Sequence, residues 1–337
     1  MTRRNLGILL AFLVGAPVVW ATLVRVRDEG SARLLRAVAT AHERTGYSGS
    51  AAERHTRWHL HTTVEHDADT GATVYGWRDW LRTRKPSPSA RTPDPAAWCM
   101  DVEAAAENYI VSEEGRTRYL GRRARTLRVE PRHRGRPRLR IIADEATLLP
   151  LEVATFRPNG ELLRVKAFRR VEIGPRTVSR DHDREFLSWG GTTVPPDELE
   201  ALAGFELLRP DYLPAGFRCI EARLAHAGPP VAYLVYSDGV TVLELRQSPV
   251  WTPARTETAL VKQMGPLAAK HALEWMREQH LTRVTRFDPP AEGVSVVRDR
   301  GPAHVVYDLR VGGRDVRLTS RADLDEEESF RVLRSLR

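Results

Sequence analysis

The sequence predicts an α+β protein in which antiparallel strands dominate. Runs of strand length alternate apolar with polar residues, as in Arg57–Glu65, and this alternation is typical of a sheet with one buried face. Turn-forming residues separate the runs: Val231–Tyr236 and Val240–Leu245 flank Asp238-Gly239, which predicts a hairpin with a type I′ turn. The 337 residues suffice for about two domains of ~100–200 residues each.

Composition leaves several kinds of partner open. The formal charge is +8, which suits nucleic acid, anionic lipid or an acidic protein, although an arginine-rich composition also follows from genome base composition. No nucleophile elbow, P-loop, dinucleotide fingerprint, zinc-protease motif or Cys-x-x-Cys occurs, and no motif that reads nucleic acid accompanies the charge. We therefore expect a non-enzymatic protein with no catalytic residues, no cofactor, no metal site and no nucleic-acid partner.

The first 30 residues predict export. Thr2-Arg3-Arg4 precedes the uncharged apolar run Leu6–Val24, which is long enough to cross a bilayer and also reads as a signal peptide. Either interpretation places the chain from Asp28 onward in the periplasm or outside the cell. If the run is not cleaved, it anchors the protein in the inner membrane.

The two cysteines fall in different predicted domains. Cys99 and Cys219 are too few for a disulfide framework or a zinc site. We expect two separate thiols, with a single bridge as the alternative in an oxidising compartment.

Residues 31–175 form the predicted N-terminal domain. Ser31–Thr45 predicts a helix with Ser31 as its N-cap, and Tyr47-Ser48-Gly49 then begins a strand. Asp101–Tyr109 predicts a second helix with an acidic start. Further strands follow on both sides of the turn Arg157-Pro158-Asn159-Gly160.

A predicted linker over 176–203 leads to a smaller C-terminal α+β domain over 204–337. That domain opens with the apolar residues Phe205, Leu207 and Leu208, followed by the rigid turn Leu213-Pro214-Ala215-Gly216-Phe217 and the Asp238-Gly239 hairpin. Thr256–His280 has apolar residues at helical spacing, and a final helix begins after Asp323, which forms a capping-box pattern with Glu326.

The chain resembles the MucB/RseB family of periplasmic sigma-factor regulators over most of Ser31–Leu245. The resemblance is carried by Tyr47-Ser48-Gly49 after a short helix, by the strand, proline turn and strand from Leu148 to Arg169, and by Leu213–Phe217 followed by Leu234–Gly239. It implies a LolA/LolB-like N-terminal domain, a curved antiparallel half-barrel wrapped on helices. Thr256–His280 departs from the family, in which less chain follows the hairpin.

The resemblance also implies a function. Proteins of this family bind the periplasmic part of an anti-sigma factor and shield it from proteolysis, and a lipid-type signal releases them. The alternative is a periplasmic carrier of lipid or lipoprotein of the LolA type, because the same half-barrel serves such carriers. A carrier needs an open apolar cavity, whereas a regulator needs a surface between the domains on which a peptide docks.

Two candidate sites follow from the strand alternation. The inner face of the N-terminal sheet is predicted to line an apolar cavity for an acyl chain, using Trp58, Leu60, Leu139, Ile141 and Phe168. Arg136, Arg138 and Arg140 alternate with apolar residues and predict a basic outer face for an anionic headgroup or an acidic protein segment. An ordinary solvated strand face is the alternative for the arginines.

The export prediction can be tested with a reporter that is active only in the cytoplasm. Fused after Arg337, the reporter should be silent, because the run Leu6–Val24 carries the chain out of the cytoplasm. The same fusion on a chain that lacks residues 1–27 serves as the active control. An active reporter on the full chain would exclude both the signal peptide and the anchor.

Overall fold

The computed structural model describes residues 29–55, 58–77, 80–84, 94–176, 192–225, 230–249, 286–287, 296–301, 304–311, 314–320, 324 and 326–337. The predicted export segment Leu6–Val24, the helical pattern of Thr256–His280 and the predicted cap Asp323 lie outside these residues. Among the described residues, no helix combines the length and the apolar character needed to cross a bilayer.

Most strands of the first half of the chain pair in one antiparallel sheet. In the described ranges it has nine strands in the order β4-β3-β2-β1-β9-β8-β7-β6-β5. These are β1 Tyr47–His55, β2 Trp58–His66, β3 Thr73–Trp77, β4 Trp80–Arg84, β5 Tyr109–Tyr119, β6 Arg122–Pro131, β7 Arg138–Asp144, β8 Pro150–Phe156 and β9 Leu162–Ile173. Since β4 and β5 do not pair, the curved sheet stays open, and the predicted fold class is confirmed.

Short helices cover this first sheet. Helix α1 spans residues 29–39, a 3-10 turn follows over Ala41–Arg44, and α2 spans Val102–Asn108. Asp101 caps α2 by accepting a hydrogen bond from the Ala104 N–H, as the acidic helix start indicated. The prediction that Ser31 is an N-cap is wrong: α1 has already begun at residue 29, and the buried Ser31 hydroxyl accepts a hydrogen bond from the Val111 N–H.

A second antiparallel sheet has eight strands in the described ranges, in the order β10-β11-β12-β13-β17-β16-β15-β14. Helices α3 (Leu199–Ala203) and α4 (Glu326–Arg334) accompany it, and its core includes Leu199, Leu234, Leu243, Leu318 and Val332. The strands are β10 Thr192–Val194, β11 Arg218–Ala225, β12 Val231–Ser237, β13 Val242–Pro249, β14 Arg286–Phe287, β15 Val296–Gly301, β16 His304–Val311 and β17 Arg314–Ser320.

The central hairpin exists, but its turn differs from the predicted one. Ser237 pairs with Val242, so the loop contains four residues, 238–241. Gly239 has a φ of 100°, whereas Asp238 is not among the residues with positive φ. The turn is therefore not type I′, because the Asp238 carboxylate instead accepts the N–H groups of Val240 and Thr241 and holds a wider loop.

The division of the chain into domains at 175 and 204 stays a prediction. Strand β10 pairs with β11 of the second sheet, although Thr192–Val194 lies in the segment predicted as a linker. The chain thus begins to build the second sheet before the predicted end of that linker.

Close strand packing at Gly49 offers a test of the first sheet. Gly49 lies opposite Val171 in the β1–β9 pair, and a Cβ there would overlap the carbonyl oxygen of Arg170. Gly49→Ala should lower the free energy of unfolding by about 1–3 kcal/mol, as overpacking does, measured by urea denaturation. The matched control is Gly30→Ala, because a Cβ at Gly30 meets nothing within 4 Å. Equal stability of the two variants would contradict this packing.

Candidate functional site at the junction of the two sheets

The loop of the central hairpin is built into the core of the first sheet. Val240 is 5% exposed and belongs to the same apolar cluster as Leu139 and Ile141 of β7. The Gly239 carbonyl accepts a hydrogen bond from the Met100 N–H at 2.8 Å. The hairpin of one sheet therefore contributes apolar surface to the other.

Glycine permits this close approach. A Cβ at Gly239 would overlap the backbone of Ala105 in α2, and the positive φ of Gly239 also disfavours any other residue. Gly216 is similar, because a Cβ there would overlap the side chain of Asn108. Two glycines of the second unit thus face the same short helix.

A buried ion pair lies at the centre of the junction. The Asp238 carboxylate and the Arg136 guanidinium are 1% and 4% exposed, with Oδ2 3.3 Å from Nε. The Tyr109 hydroxyl donates to the same oxygen at 3.1 Å, and the Val240 and Thr241 N–H groups donate to the other. Burial raises the pKa of Asp238, and its hydrogen bonds and Arg136 only partly oppose that effect.

Arg136 makes further contacts with the second unit. Its Nη2 donates to the Ala215 carbonyl at 3.2 Å, and its guanidinium lies over the Phe217 ring, 4.7 Å from the centroid. A cation over an aromatic face in a dry environment is stabilising. One arginine of the first unit therefore contacts both the turn before β11 and the loop after β12.

Asn108, the last residue of α2, joins the same elements through its amide. Its Nδ2 donates to the carbonyls of Ala104, Gly216 and Asp238 at 2.8, 3.1 and 3.2 Å. Its Oδ1 lies 3.1 Å from His133 Nε2. The Asn108 amide thus satisfies two carbonyls of the second unit and one carbonyl of its own helix.

At the rim of the junction, Asp101 forms a bidentate pair with Arg218 at 2.7 and 2.9 Å. Burial acts to raise the pKa of Asp101, but the Ala104 N–H bond and Arg218 together lower it. Since Arg218 is 46% exposed, water screens this pair, and such surface pairs contribute only about 0–1 kcal/mol. The buried Asp238–Arg136 pair is the stronger determinant of the junction.

Strand register places the residues predicted to line the cavity on one sheet face. In one row across β2, β1, β9, β8 and β7, the successive residues are Trp58, His55, Arg164, Thr155 and Leu139. In the next row they are Leu60, Glu53, Lys166, Val153 and Ile141. Side chains of Trp58 and Leu60 lie outside the described part of the structure. Leu139 and Ile141 share one core cluster, whereas Phe168 packs in another with Tyr47 and Leu151.

Charged residues lie in the middle of this face, which the sequence analysis did not anticipate. Glu53 and Lys166 are directly opposite each other in β1 and β9 and are 4% and 8% exposed. The two residues are far apart in the sequence, and only the pairing of β1 with β9 brings their charges together. The inner face is therefore apolar at β7 and polar towards β1.

A small cavity remains where the hairpin meets this face. It measures about 20 Å³, roughly the room that one water molecule needs. Leu139 of the predicted set lines it, together with Trp98, Met100, Val153, Thr155, Arg164, Lys166, Val240 and Val242. Side chains of the protein itself fill the space that an acyl chain would occupy at Leu139.

The three arginines of the predicted basic face have different surroundings. Arg140 is exposed and pairs with Glu152 at 3.4 Å, and Arg138 is half-buried. Arg136 does not belong to an outer face, because it is buried against Asp238. The prediction for Arg136 is wrong because the strand does not reach it. Strand β7 begins at Arg138, so the alternation of side chains along the strand does not orient Arg136.

Within the described residues, no group of three or more His, Cys, Asp or Glu side chains is placed to hold a metal ion. Cys99 and Cys219 are free thiols, the first partly buried and the second exposed. Burial raises the pKa of the Cys99 thiol well above its usual range.

These features define a class of protein with two antiparallel α+β units. The β12–β13 hairpin of the second unit inserts its loop into the core of the first. Residues 83–196 match the model of the MucB/RseB N-terminal domain. The resemblance to the MucB/RseB family that the sequence indicated is thereby confirmed.

Solved structures of MucB have a similar fold. The complex of MucA and MucB from Pseudomonas aeruginosa matches at 19% identity with a TM-score of 0.57, covering 91% of this chain and 98% of the other. MucB in complex with MucA(peri) matches at 20% identity with a TM-score of 0.56 and the same coverage. MucB alone matches at 19% identity with a TM-score of 0.57, covering 92% and 98%. No curated protein matches the chain in sequence.

The buried pair predicts a specific pattern of stability. Asp238→Asn removes the negative charge that lies 3.3 Å from the Arg136 guanidinium and should lower the free energy of unfolding by roughly 3–5 kcal/mol, the usual cost of a buried uncompensated charge. Arg136→Met in the same chain removes that charge and should recover part of the loss. Urea denaturation of both variants measures the difference. The single variant Arg136→Met completes the comparison. If the losses of unfolding free energy in the two single variants simply add up in the double variant, the two residues do not interact.

Proposed function

We propose that this protein is an exported, non-enzymatic regulator that binds the periplasmic part of an anti-sigma factor. The likeness to MucB spans both sheets, and one of those structures contains MucA(peri). A binding role needs no reacting group, in agreement with the absence of catalytic motifs from the sequence. The periplasm is the compartment that the family and the predicted export segment favour.

The observation that carries this proposal is the closed junction. A lipid carrier needs a cavity of roughly 300–1,000 Å³ for a ligand of that size, whereas the space beside Leu139 measures about 20 Å³. The hairpin residues Val240 and Val242 take up the place of a ligand. A regulator instead needs two units held at a fixed angle, which the contacts of Asp238, Arg136 and Asn108 supply.

We further propose that the anti-sigma segment docks across the junction, where both units present side chains. Acidic residues of the partner would meet exposed arginines at the rim of the junction, such as Arg218, which is 46% exposed. Arg140 lies on the opposite face of β7 from Leu139 and Ile141, so a partner on the outer face of the sheet stays a separate proposal. Lipid sensing and membrane anchoring through Leu6–Val24 stay proposals. At Leu139, binding of an acyl chain would require the hairpin to withdraw.

The test uses MucA(peri), the segment present in one of the matched MucB structures, with affinity measured by calorimetry. The wild-type chain should bind. Gly239→Ala, which pushes the hairpin away from Ala105, should weaken binding about tenfold or more, because only the docked fraction of molecules is competent. Gly204→Ala is the matched control: its φ is also positive, at 71°, but a Cβ there meets nothing within 4 Å.

The carrier alternative is tested with an acylated anionic lipid in place of the peptide. Burial of an acyl chain contributes about 0.8 kcal/mol per CH₂, so a carrier binds such a lipid even at high salt. Tight binding that Leu139→Trp abolishes, without binding of the anti-sigma segment, would overturn the proposal in favour of the carrier. Loss of binding in Gly204→Ala as severe as in Gly239→Ala would contradict the role of the junction.

A further inference from the structure

The hairpin between β5 and β6 has an unusual turn. Tyr119 pairs with Arg122, so the loop consists of Leu120 and Gly121, whose φ angles are 50° and 77°. Two positive φ angles in a two-residue loop are typical of a type I′ turn, where Asn, Asp or Gly is preferred in both positions. Leucine is disfavoured there because its Cβ crowds the backbone.

Leu120 is also exposed. Its relative exposure is 42%, which makes it one of three exposed large apolar residues in the described part of the chain, with Leu162 and Leu202. A leucine in this position therefore combines a strained backbone with an apolar side chain in water. Strain kept at a site without a packing benefit is a sign of function.

Four arginines occupy one face of the ribbon behind the turn. Arg116 is directly opposite Arg125, and Arg118 is directly opposite Arg123. Because side chains alternate along a strand, these two cross-strand pairs project to the same side. Like charges directly opposite each other are destabilising in a sheet.

Carboxylates compensate only part of this charge. Glu145 lies 3.4 Å from Arg116 and 3.0 Å from Arg123, and Glu113 lies 3.4 Å from Arg125. These two carboxylates face four guanidinium groups. The side chains of Arg116 and Arg123 are 65% and 75% exposed, so the excess positive charge faces solvent beside Leu120.

We propose that the β5–β6 hairpin tip, defined as residues 116–125, binds the surface of a bilayer that contains anionic phospholipid. Leu120 enters the headgroup region, and the arginines pair with lipid phosphates while their aliphatic stems cover the apolar boundary. This inference is independent of the anti-sigma partner. It concerns the convex end of a ribbon far along the strands from the junction.

The shape of the tip favours a bilayer over a small ligand. Small ligands are bound in concave sites that surround them, whereas a two-residue turn at the end of a ribbon is convex. An exposed leucine beside four arginines suits the interface of an anionic bilayer, where apolar chains and charged headgroups lie next to each other.

The experiment measures the environment of the hairpin tip itself, so that membrane attachment through other parts of the full chain does not contribute to the signal. An environment-sensitive fluorophore is placed at Leu120→Cys in a chain that carries Cys99→Ala and Cys219→Ala. Vesicles of phosphatidylcholine containing phosphatidylglycerol should shift its emission to the blue, and vesicles of phosphatidylcholine alone should not. The shift should decline as salt is added, since charge attraction is screened within ~8 Å at physiological ionic strength.

Unlabelled variants test the two components by vesicle flotation, with binding to phosphatidylcholine alone subtracted so that attachment through Leu6–Val24 does not contribute. Leu120→Asn should weaken binding about tenfold, because the apolar insertion is lost, while the melting temperature stays equal or rises, because Asn suits the turn. Arg118→Gln with Arg123→Gln should cost about fivefold per arginine. The matched controls are Leu202→Asn, at a leucine that is 49% exposed in α3, and Arg157→Gln with Arg170→Gln; both should leave binding unchanged.

An absent emission shift, or an equal shift on neutral vesicles, would overturn the proposal. A second titration uses polyglutamate in place of vesicles, to distinguish an acidic protein from an anionic bilayer. A blue shift of the emission with polyglutamate but not with vesicles would assign the tip to an acidic protein. Equal loss of binding in the control variants would also contradict it, because general charge or apolar exposure would then explain attachment. The anti-sigma binding assay contains no vesicles, so its failure would leave this result unaffected.

Discussion

The structure depends on the buried pair of Asp238 and Arg136. Each charge loses its hydration when the hairpin enters the first sheet, and neither is tolerated there without the other. The carboxylate also organises its own loop through the Val240 and Thr241 N–H groups. The Asp238 side chain thus shapes the hairpin turn through local hydrogen bonds. Through its pair with Arg136, it also fixes where that turn packs against the first sheet.

Backbone contacts make the docking specific. Gly239 and Gly216 leave room for α2, and Asn108 satisfies carbonyls on both sides of the junction. A shift of the hairpin would break these hydrogen bonds in a place that water does not reach, and unpaired buried polar groups are costly. Apolar packing around Val240 would tolerate sliding, whereas this polar set selects one relative position of the two units. Regulated binding across the junction would depend on that position.

Local patterns predicted the elements better than their roles. Alternation and turn residues located most strands, and the acidic start located α2, because these signals act within a few residues. Asp238-Gly239 predicts a type I′ turn, yet the Asp238 carboxylate pairs with the distant Arg136. Leu120-Gly121 has the positive φ angles expected of such a turn, but leucine gives no signal for it. The pairing of Glu53 with Lys166 depends on β1 meeting β9, which alternation cannot show.

The same limit explains the candidate site. Leu139 and Ile141 pack in the core cluster that also contains Val240, but spacing does not tell whether a ligand or the protein fills the space beside such residues. The answer comes from residue 240, a hundred positions further along the chain, whose hairpin covers β7. A half-barrel without that hairpin would expose an apolar face and suit a carrier. With the hairpin held by Asp238, that face becomes part of the core that joins the two units.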